Sequence, residues 1–226
     1  MARRIRYIIP NIPHHTLQRG NNRQVVFADE EDRKIFLSTL KKFSTENNVA
    51  IGAYCLMTNH FHLLLYPDTH EGLINLMKYI SQLHTQHINR KYGRTGKLWE
   101  NRYKLNIVDP EYEWVIARYI ELNPVRANMV DRVEDYKYSS ARIHLLGEKD
   151  EVVGKNIIGD RSEEYLEFIN EKNRSNPKQL SQMRSVIKQE KVFGSEAFIQ
   201  CIEERFKTFF RIRGRGRPAK IKTRCE

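Results

Sequence analysis

Along residues 30–43 the apolar side chains Ile35, Phe36, Leu40 and Phe43 recur at the spacing of one helix face, and Asp29 stands where an N-cap belongs. Acidic residues fill the first turn, where the helix dipole favours them. The pattern then changes. Residues 49–57 and 60–66 are short apolar and aromatic runs, which predict two strands joined by a turn at "MTNH". "PHHTLQR" (13–19) predicts an earlier strand. Over residues 71–93 a 3.6-residue period returns through Leu73, Leu76, Met77, Ile80, Leu83, His84 and His87, predicting a long amphipathic helix. On that stripe His84 and His87 read as packing or helix-edge residues without a matching acidic partner. After a "GRTG" turn, "LWENRYKLNIVD" (98–109) predicts a strand. "PEYEWVIARYIELNPVRANMV" predicts a helix that starts at Pro110 and is interrupted near Asn123 by Pro124. The order β-α-β-β-α-β-α predicts an α+β domain over residues 1–145, an antiparallel sheet flanked by helices. Residues 146–226 read as charged linker, short helices and a basic tail. One of those helices is capped by Ser195 and carries Ile199, Ile202, Phe206 and Phe209 on an apolar stripe.

Composition narrows the partners. The 226-residue chain carries a formal net charge of +11 and a pI near 9.6, a balance that attracts polyanions and points to nucleic acid. Much of the excess sits in "RIRGRGRPAKIKTRCE" (211–226), where seven Lys/Arg face one Glu. No apolar run approaches the roughly 18 residues that span a bilayer. The basic N-terminus lacks the apolar segment and cleavage site of an export signal. Cys55, Cys201 and Cys225 have no CxxC spacing, which disfavours a disulfide framework or zinc knuckle and predicts a reducing, cytoplasmic setting near the nucleoid.

Candidate chemistry begins at "NHFHLLL". Alternation along a strand puts His60 and His62 on one face and Phe61 and Leu63 on the other. Two neutral imidazoles on a rigid strand can hold a divalent cation and leave positions for water or phosphate oxygens; they can equally be polar residues at a sheet edge. In "RYIELNP", Tyr119 and Asn123 stand at i and i+4, so a phenol and an amide share one helix face. The alternative is a core aromatic followed by a C-cap.

"MTNHFHLLL", "HINRKYGRTGKLWENRYK" and "RYIELNPVRA", in this order across roughly residues 13–145, resemble the single-tyrosine HUH transposases of the insertion-sequence type, most closely the branch associated with REP elements. The resemblance implies a ferredoxin- or RRM-like HUH fold with a helical, basic C-terminal extension. It implies a metal, Mg²⁺ or Mn²⁺, held by His60 and His62, with Asn123 where many members have Gln. Asn is one methylene shorter. It further implies that Tyr119 attacks a phosphodiester of single-stranded or hairpin DNA, leaving a 5′-phosphotyrosine link and a free 3′-hydroxyl. The protein would act as a monomer or a homodimer.

Other tyrosines, Tyr54, Tyr66, Tyr79, Tyr92 and Tyr103, read as core or DNA-contact residues. The tail's "RGRGRP" resembles an AT-hook core, whose Arg213, Arg215 and Arg217 would enter an A·T-rich minor groove, while Arg3, Arg4 and Arg6 would contact backbone or flanking bases. Two other classes compete with the transposase: a non-catalytic nucleic-acid-binding regulator, and a nuclease in which water attacks.

Overall fold

A computed structural model describes residues 5–171 and 177–211. Four strands, β1 (His14–Arg19), β2 (Val49–Met57), β3 (His60–Pro67) and β4 (Lys104–Ile107), form one sheet in the order β2-β3-β1-β4. All three pairings are antiparallel. The expected α+β fold with flanking helices is therefore present. Its hairpin turns over Thr58 and Asn59, and the carbonyl of Thr58 accepts from the amides of Val26 and Phe27.

Two helices cover one side of the sheet. In α1 (Glu30–Glu46), Asp29 accepts from the amide of Asp32, and the Asp32 carboxylate accepts in return from the amide of Asp29, a reciprocal capping box. In α2 (His70–Lys91) the cap is Thr69. Their stripes meet Phe61 and Leu63 in a core with Phe27, Phe36, Leu40, Leu73, Leu76 and Ile80. His84 is buried there, with Nε2 against the carbonyl of Val26 at 2.7 Å. His87 does have an acidic partner: Asp32 on the neighbouring helix, 2.9 Å away, a pairing that the sequence of α2 alone does not contain.

The strand expected over 98–109 is shorter. Only residues 104–107 join the ladder, because β1 ends at Arg19 and the chain turns sharply at Gly20, where an added Cβ would lie 2.4 Å from the carbonyl oxygen of Gln24. Trp99 makes only an isolated bridge to Gly20 and packs its ring edge-on against Phe61.

The opposite side of the sheet is covered by α3 (Glu113–Glu121), interrupted as expected before α4 (Asn123–Arg126), and by segments downstream. These are α5 (Ala141–Leu146), α6 (Ser162–Glu171), α7 (Pro177–Gln189) and α8 (Glu196–Phe206). Ile157, Ile158, Tyr165, Ile169, Met183 and Ile187 share a core with Cys55, Leu64, Ile116 and Ile120, so packing runs on past residue 145. Ser195 caps α8 by accepting from the amide of Phe198; Phe209 lies beyond the helix and is half exposed. Among the described residues, no helix is long and apolar enough to cross a membrane.

Candidate active site

Sheet register places the polar residues. His62 stands opposite Leu17 and His60 opposite Arg19; His15, two residues from Leu17, lies on the same face, and Asn106 is directly opposite His15 on β4. The rings of His60 and His62 are 5.1 Å apart, and those of His15 and His62 lie end to end, 5.1 Å between centroids and nearly coplanar at 18°. A third imidazole thus joins the expected pair. His15 was visible in "HHTLQR", but only the pairing of β1 with β3 brings it beside His62.

Burial decides the charge of these rings. Desolvation pushes His15 and His60 down to about 4, helped at His60 by the nearby Arg19 cation and opposed at His15 by the Asn106 side chain. His62 is held well below the ordinary imidazole range by desolvation and by its neighbours His15, His60, Arg126 and Arg19. At neutral pH all three are uncharged, the form in which a ring nitrogen can bind a metal. The tautomer of His60 is also set. Asn59 donates its amide nitrogen to the carbonyl of Arg23 at 3.2 Å, so its oxygen faces His60 Nδ1 at 2.6 Å and accepts that N–H. The lone pair of His60 is left on Nε2.

Tyr119 comes to the same place from α3. Its ring lies edge-on to His62 at 5.8 Å and to His15 at 6.1 Å between centroids. The phenol is mostly buried, and desolvation raises its pKa above 10. Three cations oppose that rise, Arg126, Arg184 and Arg19. The Arg126 guanidinium lies over the Tyr119 ring at 4.8 Å and donates to the Tyr119 carbonyl. Burial lowers its pKa to about 10, so it is cationic at neutral pH. None of the three arginines stands out in the sequence as a site residue. Arg19 and Arg126 lie within "PHHTLQR" and "RYIELNPVRA", whereas Arg184 lies on α7, in the extension read as charged linker, short helices and a basic tail.

Asn123 starts α4 directly after α3, and its Nδ2 donates to the carbonyls of Tyr119 and Ile120 at 3.0 Å each. This closes the end of the helix that carries Tyr119 and leaves the amide oxygen as the acceptor. The adjacent Glu121 is fully buried and accepts from Ser140 (2.5 Å), His144 (2.6 Å) and Tyr165 (2.8 Å), tying α3 to α5 and α6. That network fixes the position of the Tyr119 helix on the sheet.

The donor set fits a divalent cation in part. Among the described residues no cluster of three or more His, Cys, Asp or Glu is arranged to hold a metal ion. His60 and His62 supply two neutral nitrogen donors on one face, which would leave the other positions to water or substrate oxygens, as a hard divalent ion prefers.

The remaining candidates fall elsewhere. Tyr54 and Tyr66 are buried and donate to Asp150 and Glu113; Tyr103 is buried; Tyr79 stacks on Phe43 at 4.6 Å; and Tyr92 is exposed. Arg6 lies 3.6 Å over the Tyr103 ring and donates to its carbonyl. Arg3, Arg4, Arg213, Arg215 and Arg217 lie outside the described residues.

A family model described as transposase, IS200-like, matches residues 9–123, which include β1 to β4, Tyr119 and Asn123. A solved structure of a REP-associated tyrosine transposase bound to a REP hairpin is 16% identical, with a TM-score of 0.51 over 72% of this chain and 96% of that one. A candidate transposase from Deinococcus radiodurans is 21% identical, with a TM-score of 0.37 over 53% of this chain and 96% of that one. No curated protein matches.

Proposed function

The chain belongs to the IS200-like transposase family, and from that premise we propose that it nicks and rejoins single-stranded or hairpin DNA with Tyr119 as the nucleophile. The observation that carries this reading is the meeting, within one chain, of the Tyr119 phenol with the His62 ring at 5.8 Å, among three arginines. Tyr119 Oη attacks the phosphorus and loses its proton. The bond from phosphorus to the 3′-oxygen breaks, that oxygen leaves as a 3′-hydroxyl, and the 5′-phosphate stays esterified to Tyr119. Reversal by a 3′-hydroxyl rejoins DNA without an external energy source.

Arg126, Arg184 and Arg19 bind the phosphate and offset charge that builds up on its oxygens, and they stabilise the phenolate that burial disfavours. His60 and His62, with the Asn123 oxygen, would hold Mg²⁺ or Mn²⁺. Such an ion supplies Lewis-acid polarisation of a phosphate oxygen. Hairpin DNA as substrate follows from the similar protein bound to a REP hairpin and from the +11 charge of this chain. The basic ends, Arg3 and Arg4 at one and Arg213, Arg215 and Arg217 at the other, would add phosphate and minor-groove contacts. The phenol and imidazoles meet within one chain, and this reading calls on no residue of a second copy.

The test uses labelled single-stranded and hairpin oligonucleotides with Mg²⁺ or Mn²⁺, resolved on denaturing gels. Cleavage with a covalent protein–DNA adduct, both lost in Tyr119→Phe while binding is kept, is expected. Cleavage without an adduct would indicate attack by water. Binding without cleavage by either form would indicate a regulator.

A further inference from the structure

The polar contacts behind His62 reach across the sheet into the C-terminal extension. The Asn106 side chain is buried, and its amide nitrogen donates to two backbone carbonyls, Val186 on α7 at 3.0 Å and Lys191 just beyond it at 2.8 Å. Both amide hydrogens are therefore committed. Rotating the amide by half a turn would set its oxygen against two carbonyl oxygens, so the oxygen must point the other way.

On that side Asn106 stands directly opposite His15. Asn106 Oδ1 and His15 Nδ1 are both buried and have no other partner among the described residues. The two side chains are polar neighbours across the β1–β4 pair, and Asn106 favours the protonated form of His15, as an acceptor oxygen facing its ring does. An acceptor with a fixed orientation beside a ring nitrogen requires the hydrogen to be on that nitrogen, because two facing acceptors in a buried site would both go unsatisfied. With its hydrogen on Nδ1, neutral His15 has an acceptor at Nε2. That nitrogen is 2.8 Å from His62 Nδ1, which must then donate.

We infer that Asn106 and His15 form a relay that holds His62 in the Nδ1–H tautomer, so that its Nε2 lone pair is presented to the divalent cation. Asn59 does the same for His60 through a single contact. Both imidazoles of the pair are thus set by amide oxygens, one directly and one through a second imidazole. Asn106 and His15 are positioning residues. Because the amide of Asn106 is itself held by Val186 and Lys191, the extension beyond residue 145 sets the ring of a residue on β3.

The metal function of the relay rests on the reading of His60 and His62 as ligands; its tautomers do not. Full-length protein labelled with ¹⁵N-histidine, kept metal-free at neutral pH, is measured by long-range ¹H–¹⁵N correlation, with His15 and His62 assigned by substitution. Both are expected to carry hydrogen on Nδ1; hydrogen on His62 Nε2 would overturn the relay. His15→Leu is expected to mix the His62 tautomers and to weaken Mn²⁺ binding, measured by calorimetry, by about tenfold or more. His15→Gln, whose amide oxygen can accept from His62, is expected to recover most of that loss. Unchanged His62 tautomer and Mn²⁺ affinity in His15→Leu would also overturn the relay. Nδ1–H tautomers in a wild-type protein that binds no Mn²⁺ would uphold the relay and count against the metal reading alone.

Discussion

The two faces of β3 do opposite things with the same strand. One face puts Phe61 and Leu63 against α1 and α2, where shape and apolar area are what count. The other puts His60 and His62 beside His15, Asn106 and Tyr119 under α3 and α7. Both faces are dehydrated, but on the second dehydration acts on titratable groups: it keeps imidazoles neutral and makes a phenol hard to ionise. Apolar cores lie on both sides of the sheet, but the candidate site gathers on one of them only, and one strand with a period of two serves both.

Substitutions on the two sides should therefore separate the two properties. Tyr119→Phe removes one oxygen from the reactive face. It should lower cleavage by more than about 10³-fold and abolish the adduct, with the melting temperature and hairpin binding little changed. Phe61→Ala on the other face deletes a fully buried ring that packs 4.9 Å from Phe36 and 5.5 Å from Trp99. It should cost about 3–5 kcal/mol in urea denaturation, with the surviving folded fraction still able to cleave. Equal losses of stability in both variants would erase the distinction between the faces.

Arg126 probes the reactive face more gently. Replacing it with Gln removes a cation that opposes the raised pKa of Tyr119, so the phenol should become harder to ionise. Cleavage should fall by about 10²-fold, and the rise of rate with pH should move to more alkaline values. A fall in rate with an unmoved profile would restrict Arg126 to binding the phosphate.

The apolar face was legible because its signals are local. Capping at Asp29, the stripe through Phe36 and Leu40, and the alternation from His60 to Leu63 each need only a few neighbouring residues. The reactive face was legible only where it, too, was local. His60 and His62 share a strand, and Tyr119 and Asn123 were picked out by the "RYIELNP" motif. His15 needed the pairing of two strands 47 positions apart. Arg184 needed a helix from a polar stretch that gave no reason to place it near the sheet. The first half of the strand expected over 98–109 is missing for a related reason: its apolar residues are real, but β1 has already turned away at Gly20 and leaves no ladder to join.

Acid should weaken both faces alike, because burial is common to them. His14 and His84 are held near 4, as are His15 and His60, against about 6.5 in an unfolded chain. For each, the unfolded state binds the proton more readily over that interval. Stability should therefore be full above about pH 6.5 and fall as pH drops toward 4, by up to about 1.4 kcal/mol per pH unit for each ring. Urea titrations at several pH values measure the slope, and His84→Gln should reduce it by about one proton. A flat profile between pH 7 and pH 5 would contradict the burial of these rings.

The smallest effect compares one histidine from each face. His60 Nδ1 donates to Asn59, whereas His84 Nε2 lies against the carbonyl of Val26; both contacts are short, at 2.6 and 2.7 Å. Only the first leaves a lone pair facing the reactive side. Asn59→Ala removes the acceptor that holds the His60 tautomer and should weaken Mn²⁺ binding by about tenfold, at the low end for a group that orients a ligand. His84→Gln should leave Mn²⁺ affinity unchanged. Calorimetric titration of both variants decides the point. If Asn59→Ala binds Mn²⁺ as the wild type does, the His60 lone pair is not what the ion uses, and the difference between the two faces reduces to the phenol and its arginines.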